Sequence, residues 1–196
     1  MSIAPTPPKT YTPAEYLARE VEAETRHEYR NGEIIPMSGG TPAHNEIVSN
    51  LIFILKSALK SGLQGQNYSI FAADQRLWIP ESNTYTYPDV VVVPKPIELQ
   101  PGRKDTIANP VLIAEVLSNS TKAYDRDEKF AAYRTVSTFQ EYLLIDQTQP
   151  HVEQYRKQGI NQWLFQEYKG RGATIMIESL SVELKLVDLY ENIEFV

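Results

Sequence analysis

The sequence predicts a mixed α/β (α+β) fold in which a sheet is flanked by helices, and three observations carry that reading. From residue 42 to residue 146 the hydrophobic pattern runs helix, strand, strand, strand, helix, strand, an order that builds a mixed sheet with helices packed on it. Two short stretches, YPDVVVV (87–93) and VLIAEVL (111–117), are so uniformly apolar and β-branched that both faces of each strand should be covered. Beyond residue 150, short polar and apolar segments alternate between Gly159, Gly170 and Gly172, which is the pattern of an antiparallel meander. A chain of 196 residues fits one core better than two, so a single domain over residues 11–196 is expected. The Pro-rich residues 1–10 before it read as a flexible tail.

Each element has its own local signal. Thr12-Pro13-Ala14-Glu15 has the form of a capping box, with the Thr12 hydroxyl as N-cap and Pro13 at the tolerated first position, so a short helix should run to about Ala23. HEYR-NG-EIIPM then places Asn31-Gly32 between two extended segments, the pair that a type I′ hairpin turn requires. Ile47, Val48, Leu51, Ile52, Leu55, Ala58 and Leu59 recur at helical spacing from Thr41-Pro42 onward, and Gly62 is placed to stop that helix. Residues 69–79 and 87–93 read as strands, and residues 94–110 as a Pro-rich loop carrying Arg103 and Lys104. Strand 111–117 leads through the Ser118–Thr121 cap cluster into a helix from about Lys122 to Val136, then strand 141–146. The meander segments are 151–157, 162–168, 173–177 and 181–186. Tyr155, Trp163, Phe165 and Tyr168 within them suit cross-strand packing better than base stacking.

Composition removes several chemistries. With Cys 0 there is no disulfide, thiolate metal site or cysteine nucleophile, so any metal must sit on carboxylate or imidazole. His27, His44 and His151 lie in no HxH or HExxH arrangement, which argues against a zinc hydrolase. Gly39-Gly40 lacks the GxxxxGK context of a phosphate loop, and no GxSxG elbow occurs. No apolar run reaches the length of a membrane span, and the N-terminus carries no secretory pattern, so a cytoplasmic location is expected. The formal net charge of -6 opposes non-specific coating of nucleic acid, which needs Lys and Arg to neutralise phosphates.

The chemistry-bearing residues are two acids and a lysine. Asp89 and Glu115 fall within apolar strands, where an ionised carboxylate is costly unless a cation or several donors compensate it. Asp89 shares a face with Val91 and Val93, and Glu115 with Ile113 and Leu117. Two close carboxylates repel, and a divalent cation removes both penalties at once. Alternatively, each acid alone could face solvent and pair with a surface cation. Asp125, Lys129 and Tyr133 repeat at i, i+4 and i+8 on one helix face, either as an exposed ion pair or as groups brought against the Glu115 strand by the tight turn at Ser118–Thr121.

Tyr87-Pro88-Asp89-Val90, Ala114-Glu115-Val116-Leu117-Ser118 with Thr121, Tyr124-Asp125 followed by Lys129 and Tyr133, and Glu141-Tyr142-Leu143-Leu144-Ile145-Asp146 together resemble a bacterial family. It is the Uma-type family of putative restriction endonucleases within the PD-(D/E)xK nuclease superfamily. The likeness extends from Gly32-Glu33 and Pro42-Ala43-His44 to Asp146. It implies a restriction-endonuclease-like core of order αβββαβ, with Asp89, Glu115 and the carbonyl of Val116 as ligands of Mg²⁺, for which Mn²⁺ can substitute. The superfamily's usual lysine two residues after the Glu is Leu117 here, so the resemblance moves that role to Lys129, with His44 and Tyr133 lining the site. Such a site suits hydrolysis of DNA, because a divalent ion and a cationic side chain together stabilise charge developing on phosphorus. Lys122, Arg126, Arg103 and Lys104 could supply local phosphate contacts, although a solvated helix face explains the helical ones equally well. Cutting both strands needs two active sites, so a homodimer is expected. The rival reading is a catalytically silent nuclease-like fold that serves as a protein-interaction or regulatory module, which accounts better for the acidic charge.

Overall fold

A computed structural model describes residues 9–61, 67–118 and 121–195. Most of the expected tail (residues 1–8), the helix stop at Gly62, and Asn119 and Ser120 of the cap cluster lie outside the described residues. The N-terminal elements follow their local signals. Helix α1 (Pro13–Glu22) starts in a complete capping box between Thr12 and Glu15. Strands β1 (His27–Arg30) and β2 (Glu33–Pro36) pair antiparallel around Asn31 and Gly32, whose φ values of 47° and 93° are those of the I′ turn. Helix α2 (Pro42–Ser61) follows.

The apolar segment 69–79 is two strands, contrary to expectation. Strand β3 (Tyr68–Ala72) and strand β4 (Arg76–Ile79) belong to different sheets, because Gln75 N–H donates to the Ala72 carbonyl at 2.9 Å and turns the chain at Ala73-Asp74. A further strand, β5 (Thr84–Thr86), precedes β6 (Val90–Pro94). Asp89 therefore sits immediately before its strand and not inside it. The loop 94–110 also holds a short strand, β7 (Thr106–Ile107), which pairs parallel with β4.

Strand β8 (Leu112–Leu117) leads to a helical stretch made of α3 (Lys122–Tyr124), a π-helical segment (Asp125–Lys129) and α4 (Phe130–Tyr133). Regular helix ends at Tyr133 instead of Val136, whose N–H donates to the Tyr133 carbonyl in the turn that follows. Strand β9 (Glu141–Asp146), β10 (His151–Gly159) and β11 (Gln162–Lys169) form an antiparallel run, but β12 (Thr174–Ile177) and β13 (Val182–Lys185) make a separate hairpin. The expected four-strand meander is thus split, and a short helix α5 (Leu186–Leu189) ends it.

The principal sheet has the order β11-β10-β9-β8-β6-β3. Once the excursion through β4, β5 and β7 is set aside, its central part follows the expected helix, three strands, helix, strand sequence. Alternation along the strands sorts the two cores. Val90, Val92, Leu112, Ala114 and Val116 pack toward α2, whereas Val91, Val93, Ile113 and Leu117 pack with Phe130 and Tyr133 of the α3–α4 stretch. Burying each such side chain contributes about 1.5–3 kcal/mol. Tyr155 joins that second core and stacks near Phe130 and Phe165 at 4.5 and 5.0 Å between ring centroids, the packing role expected of the meander aromatics. The second sheet, β2-β1-β5-β4-β7, carries the N-terminal hairpin. Among the described residues no helix is long and apolar enough to cross a membrane.

Candidate active site

A cavity of about 330 Å³ opens where β6 begins and β8 ends. The pairing Val90↔Ala114 and Val91↔Ile113 brings Asp89 beside Glu115 at the next step along the two strands. Glu115 is an odd-numbered residue of β8, so its side chain leaves the sheet on the face covered by the α3–α4 stretch. Asp89 Oδ2 accepts from Val116 N–H at 2.8 Å, and Asp89 N–H reaches Glu115 Oε2 at 3.4 Å. Each acid is thereby fixed by the other's strand.

The opposite edge of Glu115 faces Lys129. Lys129 Nζ lies 3.1 Å from Glu115 Oε1, 3.0 Å from Asp125 Oδ1 and 3.4 Å from Glu28 Oε1. Tyr133 donates its hydroxyl to the same Glu115 Oε1 at 2.8 Å. Tyr133 is fully buried and supports Glu115 from beneath without lining the cavity itself. The helix starts close to the sheet because Ser118 turns the chain: its Oγ accepts from Thr121 N–H at 3.1 Å and its carbonyl from Lys122 N–H at 3.0 Å.

His44 enters from the first turn of α2, with Nε2 3.1 Å from Asp89 Oδ1. Its placement depends on Gly40, where a Cβ would stand 2.6 Å from His44 Cδ2. Of the cavity-lining residues Met37, Ser38, Gly39, Gly40 and Thr41, Gly40 is thus the one set close against the imidazole. Thr41 caps His44 N–H at 3.1 Å and donates to Gln147 at the far rim.

Electrostatics set this cluster apart. Glu28, Asp89, Glu115 and Asp125 line the cavity together with Lys129 and His44. Burial pushes the Glu115 carboxyl up to about 8; the Lys129 charge opposes this, and the Asp89, Asp125 and Glu28 charges add to it. Burial works against the charge on Lys129, but Glu115, Glu28 and Asp125 outweigh it and hold the ammonium well above its ordinary range. His44 is likewise disfavoured as a cation by burial, yet Asp89 and the Val116 backbone raise it above its usual value. Asp125 Oδ1 is buried without a hydrogen bond, because the nearby ammonium is close enough for ion pairing but not aligned for donation. An excess of buried carboxylate with an orphaned oxygen fits a divalent cation held by Asp89 and Glu115, since Mg²⁺ uses one or two carboxylates and keeps several waters.

Among the described residues, the one group of three acid or imidazole side chains whose ligand atoms all lie within 4.8 Å of one another is elsewhere, at His151, Glu153 and Glu167. Glu153 there is already engaged by Arg126, at 2.6 to 3.1 Å through Nη2 and Nε. A cation there would have to displace that guanidinium, as one at Asp89 and Glu115 would have to displace contacts from His44, Lys129 or Tyr133; only the latter pair lines the cavity described above.

The sequence named Asp89, Glu115, Lys129, His44 and Val116, and the structure brings all five to one place. It does not bring the four basic residues there. Arg103 is paired with Asp105 at 2.6 Å, and Arg126 with Glu153; Lys104 is exposed, and none of Lys122, Arg126, Arg103 and Lys104 lines the cavity. Glu28 was not singled out. It is buried on β1, accepts a short hydrogen bond from Thr86 of β5, and reaches Lys129 from the second sheet. Its only sequence signal is a charged residue beside Tyr29 in a short hairpin strand, which does not say what the hairpin covers.

Comparison with known proteins shows the family of the chain and a likeness of fold. An uncharacterised Synechocystis protein, sll1609, is 42% identical over 174 residues, covering 89% of this chain and 96% of that protein. A second, slr1290, is 32% identical over 186 residues, covering 94% and 93%. Among solved structures, a crystal structure described as a putative nuclease belonging to DUF820 from Anabaena variabilis superposes with a TM-score of 0.72. It covers 92% of this chain and 97% of that one at 21% identity, a likeness of fold. The model of the Uma2 family, described as "Putative restriction endonuclease", matches residues 13–188, and the chain belongs to that family.

Proposed function

We propose that this chain is a divalent-metal-dependent nuclease that hydrolyses phosphodiester bonds of DNA. The observation that carries the reading is the convergence of Asp89, Glu115 and Lys129, from three separate elements, on one cavity with Lys129 Nζ 3.1 Å from Glu115 Oε1. Asp89 and Glu115, with the Val116 carbonyl, would hold Mg²⁺ or Mn²⁺, which when bound polarises the phosphoryl oxygens and makes water more acidic. The chain's own groups orient the reaction. Val116 N–H and His44 fix Asp89, while Tyr133 and the Asp89 backbone fix Glu115. Lys129, permanently charged in its carboxylate cage, orients the attacking water or offsets the negative charge that grows on the phosphoryl group. A water oxygen bonds to phosphorus and gives up a proton to solvent, while the P–O ester bond breaks and the leaving oxygen takes up a proton from solvent. Cutting both strands of a duplex would take two such sites, which a homodimer would supply.

The rival reading, a non-catalytic interaction module, draws support from the formal charge of -6 and from the pairing of Arg103 and Arg126 with acids. A cleavage assay on labelled DNA with Mg²⁺ or Mn²⁺ tests the proposal. Cutting that disappears in chelator and in Asp89→Ala supports it. Intact DNA at high enzyme concentration, with calorimetry detecting no divalent ion, favours the module.

A further inference from the structure

We infer that the cavity accepts DNA as an unpaired strand and not as a continuous duplex, an inference that rests on the nuclease reading above. The groups proposed to act on phosphate are deeply set: the side chains of Asp89, Glu115 and Lys129 are 16%, 4% and 10% exposed. The cavity above them, about 330 Å³, is at the small end of the range of about 300–1,000 Å³ typical of small-molecule sites. That suits one nucleotide unit and is far too small for paired strands. Met37–Thr41 line the same cavity and Gly40 lies close against the His44 imidazole, which narrows the approach to the acids and favours a phosphate whose strand has left the stack. Enzymes that act on an enclosed nucleotide extrude it or take it already unpaired, and extrusion is easiest where pairing is absent.

Charge opposes extended contact with any phosphate backbone, paired or single, so burial and cavity size carry the choice of one unpaired unit. Duplex tracking needs a row of cations free to replace condensed counterions. Here Arg30 is bound by Glu128 and Glu33, Arg103 by Asp105, Arg126 by Glu153 and Arg156 by Glu178. Each of these arginines would have to release an acid before meeting a phosphate. The cavity lining also includes the apolar Ile35, Pro36 and Met37 and the aromatic Tyr124, whose ring lies 4.8 Å from the Arg30 guanidinium, surfaces that suit an unstacked base. A single strand also requires only one active site per cut.

The test compares three end-labelled DNA substrates of one sequence under Mn²⁺: a blunt duplex, the same duplex with a splayed unpaired arm, and the single strand alone. The expected result is cutting at least tenfold faster on the arm and on the single strand. The rate should fall less than about tenfold between roughly 50 and 200 mM salt, against the ~10³–10⁵-fold loss of a protein that grips many duplex phosphates. Blunt duplex cut as fast as the single strand overturns the inference and leaves the nuclease reading standing. No cutting of any of the three overturns both.

Discussion

Lys129 is the residue on which the site's electrostatics turn, because it is the ammonium that faces Glu28, Glu115 and Asp125 together. Removing one partner from a buried ionic cluster leaves the others uncompensated, which typically costs about 3–5 kcal/mol. Lys129→Ala should lose stability on that scale by urea denaturation without metal, with saturating Mn²⁺ restoring part of it. Gly40 gives a sharper comparison with its neighbour. A methyl group there meets His44 Cδ2 at 2.6 Å, whereas Gly39 has open space. Gly40→Ala should lose about 1–3 kcal/mol and weaken divalent-ion binding by calorimetry, while Gly39→Ala should bind as the parent does. Glu115 supplies the pH dependence. Its folded pKa stands near 8, above the ordinary 4.5, so the folded chain binds this proton more tightly than the unfolded chain. The stability it contributes is fully present below about pH 4.5 and is lost as pH rises through about 8. The metal-free melting temperature should therefore fall across that window, and saturating Mn²⁺ should flatten the slope. A rise over the same range would contradict the assignment.

At the scale of elements, the capping box at Thr12 anchors α1, and Thr12→Ala should cost about 1 kcal/mol by thermal denaturation with no change in metal affinity. The elements that could be read from sequence are those with a strong local cause: the Thr12 cap, the Asn31-Gly32 turn, the long α2 periodicity, and the buried β8 and β9. Those that could not are the ones decided by partners distant in the chain. The segment 69–79 is interrupted by the polar triplet Asp74-Gln75-Arg76, but with no Gly or Pro to mark a turn the interruption does not say that the two halves join different sheets. Strands β5 and β7, of three and two residues, are too short to show a period. The π-helical segment Asp125–Lys129 likewise has no separate periodic signature, yet it carries two of the groups that meet Glu115.

For the molecule as a whole, the candidate site lies where two sheets and two helical elements meet. The principal sheet delivers Asp89 and Glu115, the α3–α4 stretch delivers Asp125 and Lys129, α2 delivers His44, and the second sheet delivers Glu28. Strand alternation grouped Asp89 with Val91 and Val93, and Glu115 with Ile113 and Leu117, but whether the two groups share a face depends on the register of β6 on β8, which local patterning does not give. Glu28 was hidden because its role depends on how the second sheet docks, which local patterning does not encode. The central claim is that Asp89 and Glu115 hold a divalent ion beside Lys129. The most direct measurement is an anomalous difference map from a crystal grown with Mn²⁺. A peak in coordination contact with both the Asp89 and Glu115 carboxylates is the result expected. No peak there, or one only at the His151–Glu153–Glu167 group, would contradict it.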